Sequence, residues 1–127
     1  MNEIWRKIEE FKNYEVSNLG NVRSLNYRRT GETKILKLGK DKNGYLYICL
    51  WENGKQYFKT VHRLVATAFI SNPQGKPQIN HINGDKENNR VSNLEWCTGK
   101  ENCQHAYNTG LHVITKETRK KLRGMKL

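Results

Sequence analysis

The chain has 127 residues, 35% of them hydrophobic, a formal net charge of +11 and a mean hydropathy of −0.90. That size suits one compact domain, or two small modules sharing a modest core, and no apolar run approaches the roughly 18 residues of a bilayer span. The start, MNEIWRKIEE, lacks a signal-peptide core, and Cys49, Cys97 and Cys103 are odd in number with no CxxC pair, so a soluble, intracellular chain without a disulfide framework is expected.

In chain order, Ile4–Ile8 reads as a short extended segment. Tyr14-Glu15-Val16 and Val22-Arg23-Ser24-Leu25 flank Ser17-Asn18-Leu19-Gly20-Asn21, a turn-rich connection typical of a hairpin. A polar loop, Asn26–Glu32, carries Arg28 and Arg29, and Thr33–Leu38 predicts a further strand ended by Gly39. Tyr45–Trp51 is the most β-prone run of the chain, and Asn53-Gly54 supplies the tight turn from which Gln56–Lys59 returns. Residues 1–60 are therefore expected to form a small antiparallel sheet.

The period then changes. Val61, Leu64, Val65, Ala68 and Phe69 fall at helical spacing, with Thr60 as the expected N-cap and Asn72-Pro73 as the stop. This apolar stripe should join the sheet to the segments beyond residue 77 in one continuous core. His62, Arg63 and Thr67 are placed on the polar side, where His62 has a packing or surface role. A helix and connector thus occupy 61–77.

The stretch QINHINGDKENNRVSNLEWCTGKEN, residues 78–102, organises the rest. His81 ends one short apolar-flanked run and Asn93 precedes another, Leu94–Cys97, with the Asn83-Gly84-Asp85 turn and a polar crossover between them. Thr98-Gly99-Lys100-Glu101 has the capping-box pattern of a helix start, which places Asn102 on the first turn and His105 on a similar face. Asn108-Thr109-Gly110 ends that helix. Two strands, a crossover and a helix predict a compact ββα unit over 78–112, and the whole chain is assigned to the α+β class.

His81, Asn93 and Asn102, in the contexts NHINGD, SNLEW and KEN, resemble the HNH nucleases of phage and intron homing endonucleases. The preceding segments, IWRKI…YEVSNLGNVRSL…NGYLYICLWENGK…VHRLVATAFI, resemble the DNA-binding module that commonly precedes them. The resemblance implies a metal-dependent endonuclease acting on double-stranded DNA, as a monomer in the cytoplasm of a bacterial or phage-infected cell. It implies that His81 is the general base, Asn93 orients its ring, and Asn102 offers an amide oxygen to a divalent metal, Mg²⁺ or Mn²⁺. Those roles suit the chemistry: an imidazole titrates near neutrality, and hard cations prefer oxygen ligands.

Asn80 departs from the family pattern, which often has a metal-binding Asp before the His. An amide oxygen still ligates Mg²⁺, but Asp85 and Glu87 belong to the crossover, so no anionic ligand is evident. Weak metal binding without DNA is expected, completed by the scissile phosphate. A zinc site from Cys97, Cys103 and His105 lacks a fourth ligand at any usual spacing.

Charge placement points to a polyanion. Residues 1–60 carry 12 basic and 7 acidic side chains, residues 61–115 carry 5 and 4, and residues 116–127 carry 6 and 1. DNA affinity should therefore come mainly from the segments flanking the nearly neutral ββα unit. The basic side chains assigned to DNA are Arg23, Arg28 and Arg29 in the sheet, Arg63, Arg90, His105, and Arg119, Lys120, Lys121 and Arg123 in the tail, 113–127. A non-catalytic DNA-binding protein on the same scaffold is the alternative, and an adaptor domain using the sheet for protein contacts is a third class.

Overall fold

The structure, a computed structural model, describes residues 2–101. Strands β1 (Trp5–Ile8), β2 (Phe11–Ser17), β3 (Val22–Tyr27) and β4 (Glu32–Ile35) form an antiparallel meander in the order β1-β2-β3-β4. A second sheet contains β5 (Gly39–Lys40), β6 (Leu46–Glu52) and β7 (Lys55–Thr60). Helix α1 (Val61–Phe69) comes next, and β8 (Gln78–His81) pairs antiparallel with β9 (Leu94–Cys97). The class is α+β, as expected.

The one small sheet expected over the first half is in fact two. Beyond Ile35 the chain leaves β4, because Leu36 and Leu38 turn inward against the core and Leu36 N–H donates to the Val22 carbonyl at 2.8 Å. Gly39 then passes under the Tyr47 ring so closely that a Cβ would lie 2.5 Å from it. Glycine thus begins β5 by permitting a close approach, where its sequence context suggested only a strand end. Between β6 and β7 the Asn-Gly turn behaves as its composition predicts: Asn53 and Gly54 both have positive φ, and Glu52 pairs with Lys55.

The two sheets and the β8–β9 hairpin meet on α1. Val16, Val22, Leu50, Val61 and Val65 are fully buried, and Ile79 and Leu94 bring the hairpin into the same cluster. The helical stripe packs as its spacing requires, with Leu64, Ala68 and Phe69 at the margin. Ala66 is also fully buried, since α1 is covered by elements of both sheets and by the hairpin. Thr60 occupies the N-cap position with extended backbone, but its side chain makes no cap hydrogen bond. Tyr14 ties the sheets together, its hydroxyl accepting from Trp51 N–H at 3.1 Å.

Candidate active site

Strand β8 delivers Asn80 and His81 to the end of the hairpin, opposite Glu95 and Leu94 in register. Both are buried, as is Asn93. The crossover between the strands is built from side-chain-capped turns. Asn83 Oδ1 accepts from Asp85 N–H at 2.8 Å, and Asp85 Oδ1 from Glu87 N–H at 3.0 Å, while Gly84 takes the positive φ that its turn requires.

Asn93 serves that loop, and its side-chain hydrogen bonds all run to Asn83 and Asn88. Its Oδ1 accepts from Asn83 N–H at 2.9 Å, and its Nδ2 donates to Asn83 Oδ1 and to the Asn88 carbonyl, each at 2.9 Å. The ring-orienting contact expected of Asn93 is made by Asn89, whose Oδ1 lies 2.7 Å from His81 Nε2. The reason is steric. Asn93 sits on the short 3-10 turn Val91–Asn93 with its amide under the crossover, whereas Asn89 ends the crossover and is packed inward. Nothing in the spacing of Glu87-Asn88-Asn89-Arg90 distinguishes Asn89 from the amide before it.

His62 takes the packing role expected of it, but against the rings around His81 and not on a polar face of α1. Its ring centroid is 5.1 Å from that of His81 and 5.1 Å from Tyr45, and Tyr45 is 6.0 Å from His81, so three rings form one cluster. The spacing of His62 with Ala66 signals burial of that face of α1 but not which ring it meets. Burial, reinforced by His81 and Arg63 and opposed by Asp41, lowers the His62 pKa to about 4. Burial also lowers that of His81, with Asn89 and Asp85 opposing and Lys86 assisting. Both rings are therefore neutral at pH 7, and Nδ1 of His62 is buried without a hydrogen-bond partner among the described residues. Lys86 closes this side, donating to the Asn43 carbonyl at 2.9 Å and lying 4.9 Å over the Tyr45 ring.

Asn80 has an anionic neighbour that the sequence pattern did not bring forward. Its Nδ2 donates to Glu95 Oε1 at 2.9 Å across the ladder. That bond uses the donor half of the amide and turns Oδ1 the other way. The amide oxygen, directed away from Glu95, is the hard donor that fits a cation such as Mg²⁺, and the carboxylate fixes the amide from behind. Among the described residues no group of three or more His, Cys, Asp or Glu side chains forms a metal cage. At the start of the next helix the capping box forms, Thr98 N–H donating to Glu101 Oε1 at 2.9 Å and Glu101 N–H to Thr98 Oγ1 at 3.2 Å. Asn102, Cys103, His105 and the tail residues Arg119, Lys120, Lys121 and Arg123 lie outside the described residues.

Comparison with known proteins joins this geometry to the family already suggested. Residues 3–51 match the NUMOD4 motif, and residues 59–104 match the HNH endonuclease family. The solved structure of the HNH homing endonuclease I-HmuI superposes with a TM-score of 0.77 at 32% identity, covering 97% of this chain and 67% of that one. The chain belongs to the HNH endonuclease family.

Sequence relatives agree. The HNH endonuclease L247 of Acanthamoeba polyphaga mimivirus is 44% identical over 90% of this chain, which spans 28% of that protein. The DNA endonuclease I-HmuI of Bacillus phage SP01 is 35% identical over 88% of this chain, which spans 62% of its length. A putative homing endonuclease, YosQ, of Bacillus subtilis is 37% identical over 85% of this chain and is covered over 60% of its own length.

On this HNH scaffold the predicted basic residues divide into two kinds. Arg23 is committed to the fold, bridging to Glu15 at 2.6 Å and lying 4.2 Å over the Trp5 ring. Arg63 donates to the Pro77 carbonyl at 3.1 Å and lies beside Trp96. Arg28, Arg29 and Arg90 are exposed. Arg28 and Arg29 form the tip of the β3–β4 turn with φ of 52° and 62°, a left-handed pair that neither side chain favours. They border an open groove between the two sheets, lined also by Tyr27, Trp51 and Phe58. Cys49 and Cys97 are free thiols, and no helix among the described residues is long and apolar enough to cross a membrane.

Proposed function

We propose that this chain is a homing-type, metal-dependent endonuclease that hydrolyses phosphodiester bonds in double-stranded DNA, acting as a monomer within the cell and nicking one strand at its single site. One observation carries the reading. A buried imidazole at the end of β8, held by a carboxamide and kept neutral by its surroundings, directly follows Asn80, whose amide is oriented by Glu95 across the same hairpin. A neutral imidazole accepts a proton from water at pH 7, which is what a hydrolytic base must do.

In this mechanism His81 takes the proton of the attacking water. Asn89 and the Tyr45–His62 cluster keep its ring from turning. Asn80 Oδ1, with Glu95 behind it and Asn102 from the next segment, would hold Mg²⁺ or Mn²⁺. When bound, that cation relieves charge on the phosphate and on the departing 3′ oxygen. Asn93 acts at one remove, by holding the crossover that carries Asn89. Arg28, Arg29 and Arg90 supply phosphate contacts whose contribution weakens with salt. The matched structure is described as DNA binding and cleavage by I-HmuI, which supports a DNA substrate here.

The test is supercoiled plasmid incubated with Mg²⁺ or Mn²⁺ and either wild type or His81→Ala. Wild type should produce open circles while His81→Ala binds DNA without cutting it. The substitution of amide for carboxylate at Asn80 favours a second reading, a DNA-binding protein whose chemistry has lapsed. Salt-sensitive binding by a wild type that leaves the plasmid intact would establish that alternative.

A further inference from the structure

We infer that Asn89 is the positioning residue that sets the tautomer and aim of His81, and that the β2–β3 turn of the N-terminal module is the mount that holds Asn89. The chemistry His81 then performs rests on the endonuclease reading proposed for the site. Asn89 and His81 are both buried, and the contact between Oδ1 and Nε2 is 2.7 Å. A carboxamide oxygen only accepts, so Nε2 carries the ring hydrogen and Nδ1 carries the lone pair. The face of the ring is meanwhile confined by His62 and Tyr45, so it has one orientation and one basic nitrogen. Groups hydrogen-bonded to the far nitrogen of a working imidazole commonly select the tautomer in this way.

The mount comes from far back in the chain. Gly20, with φ of +91°, lies against Asn89 so tightly that a Cβ there would be 3.1 Å from Asn89 Cβ and 3.2 Å from its carbonyl oxygen. Val91 N–H donates to the Asn18 carbonyl at 2.9 Å, fixing the chain just beyond Asn89. The turn itself is braced. Ser17 Oγ accepts from Leu19 and Asn21 N–H groups, and Asn18 exchanges bonds with Ile4 through its backbone N–H at 3.0 Å and its Oδ1 at 2.7 Å. The N-terminal module is thereby part of the nuclease site as well as a platform beside it.

The experiment uses the full chain labelled with ¹⁵N. Long-range ¹H–¹⁵N correlations report the His81 tautomer at pH 7.5, and supercoiled-plasmid cleavage with Mn²⁺ reports the rate. Wild type should show the Nε2–H tautomer. Asn89→Ala should mix the tautomers and slow cleavage by about 10- to 100-fold, with DNA affinity unchanged. Asn89→Asp, which can still accept from Nε2–H, should restore the tautomer and most of the rate. Gly20→Ala should shift the His81 ring signals and slow cleavage. Gly54→Ala has comparable left-handed strain, φ +75°, with nothing within 4 Å of the added methyl, and should change neither readout.

An Nδ1–H tautomer in wild type, with the Asn89 amide donating, would overturn the inference. So would wild-type ring signals and cleavage in Asn89→Ala, or Gly20→Ala and Gly54→Ala behaving alike. Ring signals that respond as expected in a protein that never cuts DNA would uphold the positioning and refute the endonuclease reading. Should Asn89→Ala fail to fold, the Asn89→Asp and Gly20→Ala arms decide.

Discussion

Replacing Asn93 with alanine separates a structural pin from a group that touches the reaction. The buried carboxamide makes three hydrogen bonds, to Asn83 N–H, Asn83 Oδ1 and the Asn88 carbonyl. At about 1 kcal/mol net for each, their loss should cost about 3 kcal/mol, and for a chain of this size the melting temperature should fall by roughly 10 °C. Asn93→Asp should recover little. Its carboxylate still accepts from Asn83 N–H but turns an oxygen toward two other acceptors. Urea unfolding at pH 7.5, followed by tryptophan fluorescence, measures the loss directly. A variant as stable as wild type to within about 0.5 kcal/mol, yet inactive on plasmid, would refute this account and return Asn93 to the imidazole.

Other side chains give further expected outcomes. His62 titrates near 4 folded and at 6.5 unfolded, so the unfolded state binds more protons between those values. Stability should therefore be unaffected above pH 6.5 and decline as pH falls toward 4. The full shift corresponds to about 3 kcal/mol, and partial exposure of the ring reduces it to about 2 kcal/mol. Urea midpoints at pH 7.5 and 5 should diverge between wild type and His62→Gln, and parallel pH profiles would contradict the burial argument. Asn80→Asp loses its bond to Glu95 and sets two carboxylates together, so the metal-free protein should weaken by about 1 kcal/mol. Millimolar Mg²⁺ should then raise its melting temperature more than that of wild type; an equal response would count against a cation beside Asn80. Replacing Arg28 with Asn and Arg29 with Gly relaxes two positive-φ residues and should stabilise the fold by about 1 kcal/mol. If both arginines meet phosphates, the slope of log K against log salt should become shallower by about 2, and an unchanged slope would remove the turn from the DNA surface.

The features legible in the chain were those governed by local periodicity and turn chemistry. The β propensity of Tyr45–Trp51 and the Asn53-Gly54 turn specified the β6–β7 hairpin, the Val61-Val65-Phe69 stripe specified α1, and the Thr98–Glu101 pattern specified a capped helix start. The placement of His81 at a strand end, opposite a second short strand, was equally readable. Each depends on neighbours a few residues away, so each is written in the spacing.

Tertiary structure alone decided which amide meets His81, which rings surround it, and where the first half divides into two sheets. Asn88, Asn89 and Asn93 are chemically identical candidates in one polar segment. Asn89 is selected because Gly20 and Asn18, brought in from a distant turn, press that part of the crossover inward. His62 likewise became a partner of His81 because elements cover α1 on more than one side. Contacts between segments far apart in the chain are set by how surfaces fill space around a shared core, and no local period encodes that.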